Sequence, residues 1–293
     1  MSRIKECFTS RFNDGVIMEA DYSQLEVICL AFLSNDLVLR QDILEGIDLH
    51  SMSAASLYKH SYMEVRQGYV EGDPVMTKKR KIAKAFSFQL QYGSGAAAMA
   101  ASIGEDISVA KEFIAAYYTR YSGVKAYQDM VASTVKKSRV PSKRRTASGL
   151  PAGVGHYSSI TGRRYVFQEY DAPDWMVAKG IKTSFSPTQM KNYPTQGFAT
   201  GDIVPLILGE VYEELKRNPF LVTKALLVNT VHDSIVLDVH PGCVNQTASL
   251  VKGVMENAPL YIKKTWGFNF DLPLSVGIST GPSWANQSEY KLV

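Results

Sequence analysis

The first clear alternation along the chain is a short apolar run at residues 16–20 (VIMEA) that ends in Asp21, after which Leu25, Ile28, Cys29, Phe32 and Leu33 recur at helical spacing. This predicts a strand, a turn and a helix. From Asp48 to Gly68 the pattern is helical but interrupted, EGDP at 71–74 predicts a turn, and a basic helix is expected from about Thr77 to Tyr92. Further helices are predicted near 109–122, 124–138 and 198–216. Between Lys136 and Gly162 the chain turns basic and then rich in Gly, Ser and Pro (KKSRVPSKRRTASGLPAGVG), the composition of an exposed loop or hairpin. LLVNTVHDSIVLDV contains two β-rich runs, 226–231 and 235–239, that meet at His232-Asp233-Ser234 and so predict a hairpin with a polar tip. No internal repeat is present, which excludes a solenoid.

Composition narrows the class. With 293 residues, 45% hydrophobic and 20% charged, the chain is globular rather than disordered, and long enough for one large domain or two smaller ones. Lys and Arg number 32 against 28 Asp and Glu, a balance compatible with a polyanionic partner without demanding one. Cys7, Cys29 and Cys243 are too widely spaced for a zinc site or a disulfide framework, which fits a reducing compartment. The opening MSRIKECFTS lacks an apolar core, and no run reaches the roughly 18 apolar residues of a membrane span, so a cytoplasmic protein with no membrane partner is expected.

Three constellations carry chemistry. In DYSQLE (21–26) a carboxylate stands where a strand gives way to a helix; taken alone, Asp21 fits a metal ligand and a helix cap equally. In the basic helix, Arg80, Lys84, Phe88 and Tyr92 follow i, i+4 spacing, a stripe that drifts by about 120° in all, with Ile82, Phe86 and Leu90 on the opposite side. Two cations followed by two aromatic rings match a triphosphate followed by a sugar and base. Without the rings, the solvated basic face of an amphipathic helix would be the simpler reading. The third is His232-Asp233, where a turn Asp would be unremarkable by itself. Two Asp residues distant in sequence, each at a strand end, can meet across neighbouring strands, and metals about 3.5–4 Å apart on shared carboxylates drive phosphoryl transfer to a 3′ hydroxyl.

These residues resemble the polymerase motifs of family A DNA polymerases, the group that includes bacterial DNA polymerase I and many bacteriophage replicases. DYSQLE resembles motif A, RKIAKAFSFQLQYGSG (80–95) the fingers helix of motif B, VHDS (231–234) motif C, and NYPTQG (192–197) the palm element on the primer–template minor groove. The resemblance implies DNA-directed DNA synthesis from dNTPs with Mg2+ as cofactor, two ions held by Asp21, Asp233 and the Tyr22 carbonyl, and Mn2+ as a substitute. It further implies that Arg80 and Lys84 hold the triphosphate, that Lys84 protonates the leaving pyrophosphate, that Phe88 stacks on sugar and base, and that Tyr92 guards the template side. Glu26 would crowd the 2′ position, with Gln24 and His50 near phosphates and sugar. Primer–template DNA would meet Asn192, Gln196 and His232, with Arg163, Arg164 and Arg3 as weaker candidates.

The sequence departs from the family pattern in places. Motif C usually has a second acidic residue directly after its Asp, and here it is Ser234, as in single-subunit phage RNA polymerases. Gln89 replaces a Gly of motif B, and Thr188 stands where an Arg often lies. The implied fold class is α+β: a palm of antiparallel sheet and helices (1–50 and 186–293) interrupted by a mostly helical fingers domain (51–185). Motif A comes so early that the chain is expected to be the catalytic part of a phage-type replicase, either one product of a split gene or one fragment of a larger enzyme, completed by a second polypeptide carrying the thumb and a proofreading exonuclease and served by a processivity factor. Two other readings stand beside this one. A single-subunit RNA polymerase is favoured by Ser234 and opposed by Glu26 and Phe88; a catalytically silent replication subunit is opposed by retention of both Asp residues and the cationic–aromatic stripe.

Overall fold

The computed structural model describes residues 3–91 and 93–292. The chain divides into two compact units, one built from its two ends, Met1–Cys29 and Gln196–Val293, the other from Leu30–Thr195.

The first unit begins with a short 3-10 segment (Arg3–Cys7) and strand β1 (Val16–Tyr22), followed by helix α1 (Leu25–Ser34), whose residues from Leu30 onward belong to the second unit. Helix α1 is apolar nearly all round, so it is enclosed: Leu25, Val27, Ile28, Cys29, Leu30 and Ala31 are all buried.

The second unit opens with helices α2 (Leu37–Leu44), α3 (Leu49–Tyr58), α4 (Tyr62–Glu71), α5 (Pro74–Gln91), α6 (Ala96–Ile103), α7 (Ile107–Arg120) and α8 (Ser122–Lys137). The EGDP turn ends one helix and starts the next. Gly72 closes α4 in the left-handed region (φ 78°), and the Asp73 carboxylate accepts from the Met76 N–H at 2.7 Å. Pro74 fits the first turn because its missing donor would be unused there, so α5 starts three residues earlier than its apolar pattern suggests. Phe86 and Phe113 are fully buried, their rings 5.2 Å apart, and pack the apolar side of α5 towards α7.

The basic Gly/Ser/Pro stretch expected as loop or hairpin opens as the hairpin of a larger antiparallel sheet, β2 (Val140–Arg145), β3 (Pro151–Ser158), β4 (Arg164–Asp171) and, after α9 (Asp174–Val177), β5 (Thr183–Phe185). Its strands are tied by one buried acid. The Glu169 carboxylate accepts two bonds from Arg139 (2.7 and 2.8 Å), one from the Gly153 N–H (2.6 Å) and one from the Thr183 hydroxyl (3.2 Å). Gly155 is required where α8 crosses β3, since a Cβ there would lie 2.2 Å from the Val135 carbonyl oxygen.

Helix α10 (Pro187–Gln196) leads back into the first unit through a π-helical turn (Gly197–Ile203), continued by α11 (Val204–Arg217). Then come β6 (Ala225–Val231), β7 (Ser234–Val239), α12 (Val244–Glu256), α13 (Ala258–Trp266), β8 (Val276–Gly281) and β9 (Ser288–Glu289). The five strands form an antiparallel sheet in the order β6-β7-β1-β8-β9, with α12 packed on β1 and β8. Strand β1 is thus central, and its backbone is fixed on both sides.

The loop after α5 is sterically fixed as well. Gly93 has φ 76°, and a Cβ there would lie 2.6 Å from the Thr188 Cα, while the Thr188 hydroxyl donates to the Gly93 carbonyl at 3.1 Å. Gly93→Ala is expected to cost about 2–3 kcal/mol through backbone strain and overlap. Urea denaturation should read the loss, and an unchanged midpoint would contradict the packing.

Candidate active site

The candidate residues form two groups, one in each unit. In the first, antiparallel register sets Asp21 opposite Ser234 of β7 and Gly277 of β8, at the end of the central strand. Val231 pairs with Ser234, so His232 and Asp233 alone make the β6–β7 turn. His232 takes φ 54°, a left-handed conformation costly for a residue with a Cβ, and the Tyr22 N–H donates to the Asp233 carbonyl at 3.3 Å. The Tyr22 hydroxyl donates to the Met255 carbonyl at 2.7 Å, pinning the strand end to α12.

Asp233 is thus the neighbour of the residue that faces Asp21, and the two acids stand together at the strand end. Burial, followed by the negative charges of Asp233 and Glu19, pushes the Asp21 carboxyl up to about 6. Burial also raises that of Asp233. Two crowded oxygen anions at a strand end are the electrostatic arrangement that a hard divalent cation relieves, so the donor set fits magnesium. Among the described residues no group of three or more His, Cys, Asp or Glu side chains has metal-holding geometry. Gln24 is exposed at the strand–helix junction with φ 57°, and Glu26 follows, half-buried, in the first turn of α1.

Sequence reasoning missed Glu19 and Trp284. Glu19 lies two residues before Asp21, hence on the same face of β1. It accepts from the Ser234 hydroxyl at 2.8 Å and from the Trp284 indole N–H at 3.1 Å. The period-two spacing of the acids in VIMEADY was a usable signal for Glu19; nothing local marks Trp284.

In the second unit, α5 presents the predicted stripe. Arg80, Lys84 and Phe88 line an open cleft of about 550 Å³ together with Tyr69, Thr77, Lys81 and Ala85. Arg80 is already engaged there: its Nε and Nη2 donate to the Asp48 carboxylate at 2.8 and 3.0 Å, and its guanidinium lies 4.0 Å from the Tyr69 ring centre. Burial opposes ionisation of Asp48, but bonds from Arg80 and Ser51 outweigh it and hold the carboxyl down at about 2. The same carboxylate accepts from the His50 N–H at 3.2 Å and so caps α3. Lys84 is exposed, its Nζ 5.6 Å from the Phe88 ring centre. His50 packs against Phe88 at 5.5 Å; burial and the Arg80 charge lower it to about 4, so its imidazole is neutral at pH 7. Its Nδ1 is buried with no hydrogen-bond partner among the described residues.

Tyr92 lies outside the described residues. Asn192, buried, and Gln196, half-buried, stand one turn apart on α10, and His232 is exposed at its hairpin tip. Arg163 and Arg164 are exposed at the β3–β4 turn and Arg3 in the N-terminal 3-10 segment, elements separate from both groups. The two motif departures have local roles: the Gln89 amide donates to the Ser102 hydroxyl, joining α5 to α6, and Thr188 packs on Gly93.

A sequence model of DNA polymerase family A matches residues 1–286. The chain belongs to this family. DNA polymerase I of Bacillus subtilis (strain 168) is 26% identical over 282 residues, covering 96% of this chain and 27% of that protein. Thermostable DNA polymerase I of Thermus filiformis is 28% identical over 285 residues, with 96% and 28% covered. Among solved structures, the POL domain of Pol1 from M. smegmatis, in complex with DNA primer-template and dNTP, is similar with a TM-score of 0.68 at 26% identity, over 96% of this chain and 42% of that one. The chain therefore spans about a quarter of the length of these family A relatives. No helix among the described residues is long and apolar enough to cross a membrane.

Proposed function

We propose that this family A chain catalyses template-directed transfer of deoxynucleotides from dNTPs to a primer 3′ end, in the manner of a bacteriophage-type replicase. The first unit would serve as palm and the second as fingers. The observation that carries the reading is the convergence of Asp21 and Asp233 at the end of the central strand, joined to the match with the family model along residues 1–286. Asp21, Asp233 and the Tyr22 carbonyl would hold Mg2+, or Mn2+ in its place, which when bound neutralises charge on the attacking oxygen and the phosphates.

The chain's own residues do the rest. Lys84 binds the triphosphate and gives a proton to the departing pyrophosphate. Arg80 grips the same phosphates, and because Asp48 occupies its fork, phosphate must displace or share that carboxylate. Phe88 offers a stacking face, and neutral His50, packed beside it, lies near the phosphates and sugar. Gln24 lies near the phosphates, and Glu26 crowds the 2′ position. Asn192, Gln196 and His232 face primer–template DNA and read its shape rather than its sequence. Arg163, Arg164 and Arg3 are assigned auxiliary contacts to the phosphate backbone.

The competing reading, synthesis from ribonucleotides, draws on Ser234. Its bond to Glu19 gives Ser234 a role that needs no ribose. Primer extension with matched dNTP and rNTP pools separates the two. Strong preference for dNTPs is expected, with Glu26→Ala raising relative ribonucleotide use at least about tenfold; preference of the unaltered chain for rNTPs would reject the assignment.

A further inference from the structure

We infer that Glu19 is a positioning residue for the Asp21–Asp233 pair, supplying from the neighbouring strand position the third negative charge that Ser234 does not provide. The inference rests on the metal-dependent reading proposed above and adds to it a residue outside the polymerase motifs. Glu19 lies two residues before Asp21 in β1 and so shares its face of the strand. Each of its oxygens accepts a bond, one from Ser234 at 2.8 Å and one from Trp284 at 3.1 Å. The carboxylate is therefore held in place, and it acts through its field and its grip on the hairpin rather than by direct coordination.

Both donors are themselves built in. Ser234 is 3% exposed, and its single hydroxyl proton is shared between Glu19 at 2.8 Å and the Val231 carbonyl at 3.1 Å, which links Glu19 to the turn that carries Asp233. Trp284 packs edge-on against Phe8 at 5.6 Å, donates its backbone N–H to the Phe8 carbonyl at 3.0 Å and lies beneath the Lys5 ammonium at 4.1 Å. The N-terminal segment thus fixes Trp284, and Trp284 fixes Glu19. Ser234 is the complementary choice at its position: a carboxylate there would face Glu19 with a like charge, whereas a hydroxyl donates to it.

The test uses the full chain and Mn2+ as probe, with affinity read by electron paramagnetic resonance and folding by thermal melting. Glu19→Gln keeps the shape and removes the charge, and should weaken Mn2+ binding about tenfold, the scale of outer-shell ligands, with little change in melting. Ser234→Ala should weaken it about threefold, and Glu19→Ser combined with Ser234→Glu should return it to within about threefold of the unaltered chain, since the charge is moved rather than lost. A purely structural Glu19 would not be rescued by that exchange. Mn2+ affinity unchanged in Glu19→Gln, while Asp21→Asn abolishes binding, would overturn the inference alone. Binding that also survives Asp21→Asn would overturn the reading beneath it.

Discussion

Replacing Asp233 by Ala is expected to reduce templated primer extension by about 10³-fold or more, roughly 4 kcal/mol of transition-state stabilisation, with the circular dichroism spectrum unchanged. The side chain lies at the tip of a two-residue turn whose hold on β1 is made by the backbone, through the Tyr22 N–H and the β1–β7 ladder. Its removal therefore takes away a ligand without releasing the strand. It also lifts the repulsion that raises Asp21, so the metal-free variant should melt no lower than the unaltered chain at neutral pH. Extension within tenfold of the unaltered rate would dismiss the proposed chemistry; a collapsed fold would mean that the carboxylate has a packing role the hydrogen bonds do not reveal.

The second large effect concerns Arg80. Arg80→Ala leaves Asp48, whose side chain is only 15% exposed, without its bidentate partner. In the unaltered chain the Asp48 carboxyl titrates near 2 against an ordinary 3.8, so the stability from its ionised form is complete above about pH 4 and is lost as pH falls towards 2. The variant should lose about 2 kcal/mol at pH 7, and the acid-dependent part of the melting curve should flatten between pH 4 and 2. The nucleotide should suffer too, with kcat/KM for dNTP lower by about 10²-fold. Arg80→Lys is expected to recover little of either, because an ammonium cannot match both oxygens of Asp48 and stack on Tyr69. Melting curves across pH together with single-turnover extension would show whether the two losses travel together.

How much of this was legible in the sequence depended on the range of the interactions. The stripe on α5 could be read because helical geometry alone places Arg80, Lys84 and Phe88 on one side and Phe86 and Leu90 on the other, and the burial follows that division. The β6–β7 hairpin was equally local. The β2–β5 sheet was harder, since VPSKRR has no apolar alternation and its strands are tied through Glu169, which bonds Arg139 from 30 residues away. Helices α12 and α13 carry their apolar residues on short amphipathic stretches that the sequence reading did not separate from the surrounding chain. Trp284 reaches Glu19 across 265 residues, a pairing only the folded sheet creates. Gln89 and Thr188 showed in the sequence only as departures from a motif, and the structure gives each a partner.

The central place of β1 also orders events in time. Ser234 and Glu19 are 215 residues apart, and the second unit is encoded between them. During synthesis β1 leaves the ribosome long before the strands that flank it, whereas residues 30–195 are contiguous and can consolidate first. The acidic pair therefore cannot form until β7 has been made, and a product stalled before β7 would carry the cationic helix yet have no means of doing chemistry with what that helix binds.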